Sequence, residues 1–169
     1  MSRRSLRTAI SGSFKFKPEI DALHEAFADY DVMVTAPEKG WLWLPNRTLV
    51  STPFRPLPSE RGLSIRDIEA GFLAKIKEAD FLYVYNQESY LGVSTAIEIG
   101  YAIGTETPIY AQNDISFLEL ADGDLAQVEF LESRITIAGV AETVRLEYAG
   151  RMNANVQAIP EQDRNAPPA

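Results

Sequence analysis

The feature that most constrains this chain is the order in which short, continuous apolar runs alternate with segments of helical period. FLYVY at Phe81–Tyr85 is five apolar residues without a break, the pattern of a strand covered on both faces. Such strands belong to parallel sheets with helices above and below. Leu6–Ser11 and Val32–Ala36 read as strands before it, and Pro108–Ala111 and Arg134–Ala138 as strands after it. Between the first two, Pro18 suits the first turn of a helix that Ile20, Leu23, Ala26 and Phe27 continue. Ser64 followed by Asp67 resembles a capping box and predicts a helix over Ile65–Glu78. Ser94 and Thr95 are natural N-caps for a third helix stopping near Gly104, and Ala141–Met152 gives a last one. This order predicts an α/β domain with a mainly parallel, five-stranded sheet. The length of 169 residues fits one domain, expected over 1–154, with a disordered tail over 155–169 that ends in NAPPA.

Charge and composition remove several classes of function. Sixteen Lys and Arg against twenty-four Asp and Glu give a net charge of −8, which repels polyanions, so no nucleic-acid polymer is expected as a partner. The basic residues gather only at Arg3, Arg4 and Arg7, read as a short solvated terminus. With no Cys, disulfide, thiolate and zinc-finger chemistry are excluded. His24 is the only histidine, and its place in an amphipathic helix argues for a surface or packing role. The acids form no recognisable ligand set with His or Cys, so neither a metal nor another cofactor is expected. No stretch approaches the roughly eighteen apolar residues of a membrane span, and no signal-peptide core is visible, so a cytoplasmic, membrane-free protein is expected.

In open parallel sheets the ligand lies beyond the carboxyl ends of the strands. Here that means the loops after Ser11, Ala36 and Tyr85. They carry GSFKF, the long segment Lys39–Arg61 with Pro45, Pro53, Pro56, Pro58, Trp41 and Trp43, and NQESYLGVST. Small residues let a ligand approach the backbone, and helix N-termini attract anions. Glu98 is expected in the first turn of the third helix, where the macrodipole favours its ionised form. Two readings stand for it: a nucleophilic carboxylate, or an acid that merely complements the dipole. Ala96 and Gly100 either open room for a ligand or let the helix lie close to the sheet.

The segment ADFLYVYNQESYLGVSTAIEIGYAIGTETPIYA, Ala79–Ala111, resembles the signature of the nucleoside 2-deoxyribosyltransferase superfamily. ISGSF at Ile10–Phe14 is similar to that superfamily's first ligand loop. The superfamily also includes nucleoside 5′-monophosphate N-glycoside hydrolases. The resemblance implies a flavodoxin-like, three-layer sandwich in which Glu98 is the nucleophile that captures the anomeric carbon. It places Gly12, Ser13, Phe14, Tyr90, Gly92, Ser94 and Thr95 around the substrate. Ser13, Ser94 and Thr95 would meet a 5′-phosphate, and Trp41 or Trp43 would stack on the base. For the serines and tryptophans, capping and packing roles stand beside these.

The transferases carry an acid where this chain has Phe72 and another where it has Gly92. The nucleotide hydrolases share the first acid and have a phosphate-binding serine at the second position. Glu69, one turn before Phe72, offers a displaced carboxylate for protonating the base. The resemblance thus implies cleavage or transfer of the N-glycosidic bond of a (deoxy)nucleoside or nucleoside 5′-monophosphate, by a homodimer or higher homo-oligomer. A non-catalytic nucleotide sensor and an NAD glycohydrolase are the alternatives.

Overall fold

The computed structural model describes residues 4–41, 56–117 and 125–157, the side chains of 125 and 154–157 excepted. The strands β1 (Leu6–Gly12), β2 (Val32–Ala36), β3 (Phe81–Tyr85), β4 (Ile109–Ala111) and β5 (Ile135–Ile137) pair in parallel in the order β2-β1-β3-β4-β5. This is the doubly wound, flavodoxin-like order, whose direction of winding reverses between β1 and β3. The helices are α1 (Lys17–Ala28), α2 (Ile65–Glu78), α3 (Val93–Gly104), α4 (Leu125–Glu132) and α5 (Val140–Gln157).

The unbroken FLYVY run is explained by what each face meets. Phe81, Tyr83 and Tyr85 point to one side, where they pack with Ile20, Leu23 and Phe27 of α1 and Val144 of α5. Leu82 and Val84 point to the other, against Ile76 of α2, Ile99 and Ala102 of α3 and Val128 of α4. One face is aromatic and the other aliphatic. Phe27 meets Tyr83 edge-on at 5.1 Å, and Phe81 meets Tyr110 at 5.6 Å, contacts that add about 1 kcal/mol each beyond their burial.

Local chemistry accounts for the helix boundaries. Ser64 accepts from the Asp67 amide at 3.2 Å and donates to the Asp67 carboxylate at 2.6 Å, which starts α2 where the sequence predicts. Pro18 lies in the first turn of α1 as expected. α4 has no counterpart in the sequence expectation, because Phe130 is exposed between Val128 and Leu131 and blurs the helical period. β1 runs one residue longer than predicted, and β4 and β5 are shorter. α5 continues to Gln157, so the expected tail begins inside a helix; residues 158–169 lie outside the described residues. Among the described residues no helix is long and apolar enough to cross a membrane.

Of the terminal basic residues, Arg4 is exposed as expected, Arg3 lies outside the described residues, and Arg7 is less solvated than expected. Arg7 sits within β1, where its guanidinium donates to the Glu78 carbonyl and its amide donates to the Asp80 carboxylate at 2.7 Å. Asp80 also pairs with Arg151 at 2.7 Å. His24 donates from Nε2 to the Pro37 carbonyl at 2.9 Å, which ties α1 to the loop after β2.

Gly12, which ends β1, pairs with Tyr85 at the end of β3. A Cβ at this position would stand 2.8 Å from the Tyr85 carbonyl oxygen and 3.3 Å from Ile20 Cδ1. Backbone cannot yield as a side-chain tip does, so glycine is required here by close approach. Gly12→Ala is therefore expected to destabilise the fold by about 1–3 kcal/mol, seen as a lower urea midpoint at unchanged slope. An unchanged midpoint would show that the two strand ends can separate freely.

Candidate active site

The strand ends at Gly12 and Tyr85 are neighbours at the point where the winding reverses, and the loops after β1 and β3, with the described residues 37–41 after β2, leave the sheet on this side. α3 leaves the third of these loops. Its N-cap is Gly92, with extended dihedrals, and its first hydrogen bond runs from the Ala96 amide to the Gly92 carbonyl at 3.0 Å. Ser94 and Thr95, predicted as caps, instead lie in the first turn, and no side chain caps the helix. Ser94 is exposed and Thr95 is buried.

The earlier start moves Glu98 into the second turn, beyond the reach of the dipole at the helix end. The expectation of a carboxylate favoured in its ionised form is therefore overturned. Glu98 is only 9% exposed, and burial pushes its carboxyl up to about 7. The Ser11 hydroxyl, itself fully buried at the end of β1, donates to Glu98 Oε2 and opposes this shift. The charge of Glu69 on the neighbouring helix adds to the rise. Ser11 fixes one carboxylate oxygen, so the group is presented in one orientation. Sequence reading placed Ser11 in the strand and missed this contact, although the alternation of β1 puts Ser11 on the same side as Ala9, towards α3.

Aromatic side chains join the three loops. Phe14 in the first loop meets Trp41 in the second, edge-on at 5.4 Å. Phe16 meets Tyr85 at 5.9 Å and Tyr90 of the third loop at 6.3 Å. The Lys15 ammonium stands 3.2 Å from the centre of the Tyr90 ring, a cation–π contact between the first and third loops. Lys15 was not singled out from the sequence, although a cation inside GSFKF was the available signal. Ser13 accepts from the Lys15 amide at 3.4 Å and caps the 3-10 turn Phe14–Phe16.

The third loop is held under strain. Glu88 and Ser89 have φ of 54° and 59°, in the left-handed region that non-glycine residues seldom occupy. The buried Asn86 side chain donates to the carbonyls of Asn113 and Asp114 at 2.8 and 3.0 Å and accepts from the Asn113 amide at 3.0 Å. Asn113 in turn donates to the Asn86 carbonyl at 3.0 Å. This reciprocal pair fixes the ends of β3 and β4 together and over-determines the loop between Tyr85 and Gly92.

Ser11 and the charge of Glu69 thus act on Glu98, and Phe14, Trp41 and Tyr90 are joined through aromatic and cationic contacts between the loops, on the side of the sheet where the ligand cleft of this topology lies, with Gly12 at the strand end and Gly92 at the start of α3. Steric need does not dictate Gly92, since a Cβ there would meet the Tyr90 ring at an ordinary 3.7 Å. Phe72 packs against the aliphatic core between α2 and α3, while Glu69 is exposed. Trp43 lies outside the described residues. In comparisons with known proteins, no family model and no curated protein matches the chain.

Proposed function

We propose that the protein cleaves or transfers the N-glycosidic bond of a nucleoside or nucleoside 5′-monophosphate, with Glu98 as the nucleophile. The observation that carries this reading is a buried carboxylate, held by Ser11, at the reversal point of a doubly wound sheet. In its ionised form such a group faces a developing oxocarbenium ion without the shielding that water would give. Glu98 attacks the anomeric carbon as the bond to the base breaks, and the bonding pair leaves with the base. Glu69, from the adjacent helix, is assigned the proton that the base takes up. Water or a second base then displaces Glu98 and releases the sugar.

The surroundings support a nucleotide. Phe14 and Trp41 offer an aromatic wall for the base. Lys15 and the amides in the first turn of α3 offer partners for a phosphate. The homo-oligomer that the resemblance implies would find apolar side chains on α3, where Val93 and Ile97 are exposed. A second reading, a nucleotide sensor without turnover, is favoured by Phe72: it fills core where the resembled enzymes carry an acid.

The test is chromatographic detection of free base after incubating the protein with nucleosides, nucleoside monophosphates and NAD, with and without an acceptor base. Base release from a nucleoside or its monophosphate is the expected result, and nicotinamide release would redirect the reading to NAD. Binding without release from any of them would leave the sensor.

A further inference from the structure

We propose that Lys17 and Asp21 of α1 are positioning residues that hold Trp41 as a wall of the cleft and thereby set how tightly the base is bound. The inference deepens the nucleotide reading and rests on it for the identity of the ligand. It starts from an anomaly of burial: the Lys17 side chain is fully buried, yet an apolar residue would fill the same space without an ammonium to desolvate. Lys17 Nζ pairs with Asp21 Oδ1 and donates to the Glu38 carbonyl at 2.9 Å. Asp21 Oδ2 accepts from the Gly40 amide at 3.0 Å. The pair therefore grips two backbone groups on either side of Lys39, a service that no apolar pair provides.

Residues 37–41 form neither helix nor strand, so their polar backbone groups must find partners elsewhere. α1 supplies them. His24 donates to the Pro37 carbonyl and Lys39 pairs with Glu25, so that Pro37, Glu38, Lys39 and Gly40 are each tied to this one helix. Trp41 follows directly. The Lys17 ammonium stands 5.6 Å from the centre of its ring, and the ring meets Phe14 of the first loop. The direction in which Trp41 leaves the strap is thus set from α1.

The experiment uses a Trp43→Phe background, in which Trp41 is the sole tryptophan. Lys17→Met and Asp21→Asn are compared with this parent by acrylamide quenching of Trp41 fluorescence and, placed in the otherwise wild-type chain, with wild type by KM and kcat for the nucleotide that wild type cleaves. With circular dichroism unchanged, the quenching constant is expected to rise about twofold or more. KM should rise about tenfold, the effect of losing most of one base–aromatic stack, while kcat stays within about twofold. Should Lys17→Met not fold, the double variant Lys17→Met/Asp21→Asn, which leaves no unpaired buried charge, is read against the same expectations. Parent-like quenching and wild-type KM in a folded variant would overturn the proposal. If wild type cleaves no nucleotide, the nucleotide reading is what fails, and quenching of Trp41 alone then decides whether the strap is held by this pair.

Discussion

Glu98→Gln is expected to lower base release by at least about a thousandfold, with kcat rather than KM carrying the loss. Glutamine has the shape of glutamate and its carbonyl oxygen can accept from Ser11, so the helix and the cleft should persist. What it lacks is a carboxylate able to bond to the anomeric carbon. Because burial holds Glu98 at about 7, the wild-type rate should also climb as pH rises through neutrality and the nucleophile ionises. A variant that keeps turnover within about tenfold of wild type would remove Glu98 from the chemistry. The cleft would then be a binding site that uses its acid for something else.

The fold was legible because its strongest signals are local. FLYVY, short and unbroken, has the pattern of a strand covered on both faces, and Ser64 with Asp67 marks the start of α2. Where local signals compete, sequence misleads. Gly92, Ser94 and Thr95 are all plausible caps, and choosing among them decides whether Glu98 stands in the first or the second turn. The sign of its pKa shift follows from burial, which the Ser11 hydroxyl, eighty-seven positions away in the chain, only opposes. Spacing on one helix cannot reveal either. The same holds for Lys17, which reads as an ordinary helical cation until the strap after β2 folds over it. α4 was lost for a different reason: an exposed Phe130 mimics a core position when only periodicity is available.

The raised pKa makes Glu98 a liability to stability, and the sign of that liability tests how the group is held. In the unfolded chain its carboxyl has the ordinary value of 4.5; in the fold it is pushed up to about 7. Below pH 4.5 both states carry the proton and burial of the neutral acid costs little. Between about 4.5 and 7 the unfolded chain ionises first, so the unfolded state binds fewer protons and stability falls as pH rises. Above about 7 the folded state ionises too and the loss is complete, at about 3 kcal/mol for the full separation of the two values. Glu98→Gln carries no such proton. Relative to wild type it should be close to neutral in stability near pH 4 and more stable by up to about 3 kcal/mol at pH 8, read from urea midpoints at the two pH values. The variant that destroys activity would then be the more stable protein at the pH where activity matters. An acid serving only to complement a helix dipole would have its pKa lowered, wild type would gain stability over the variant as pH rises, and the difference would carry the opposite sign.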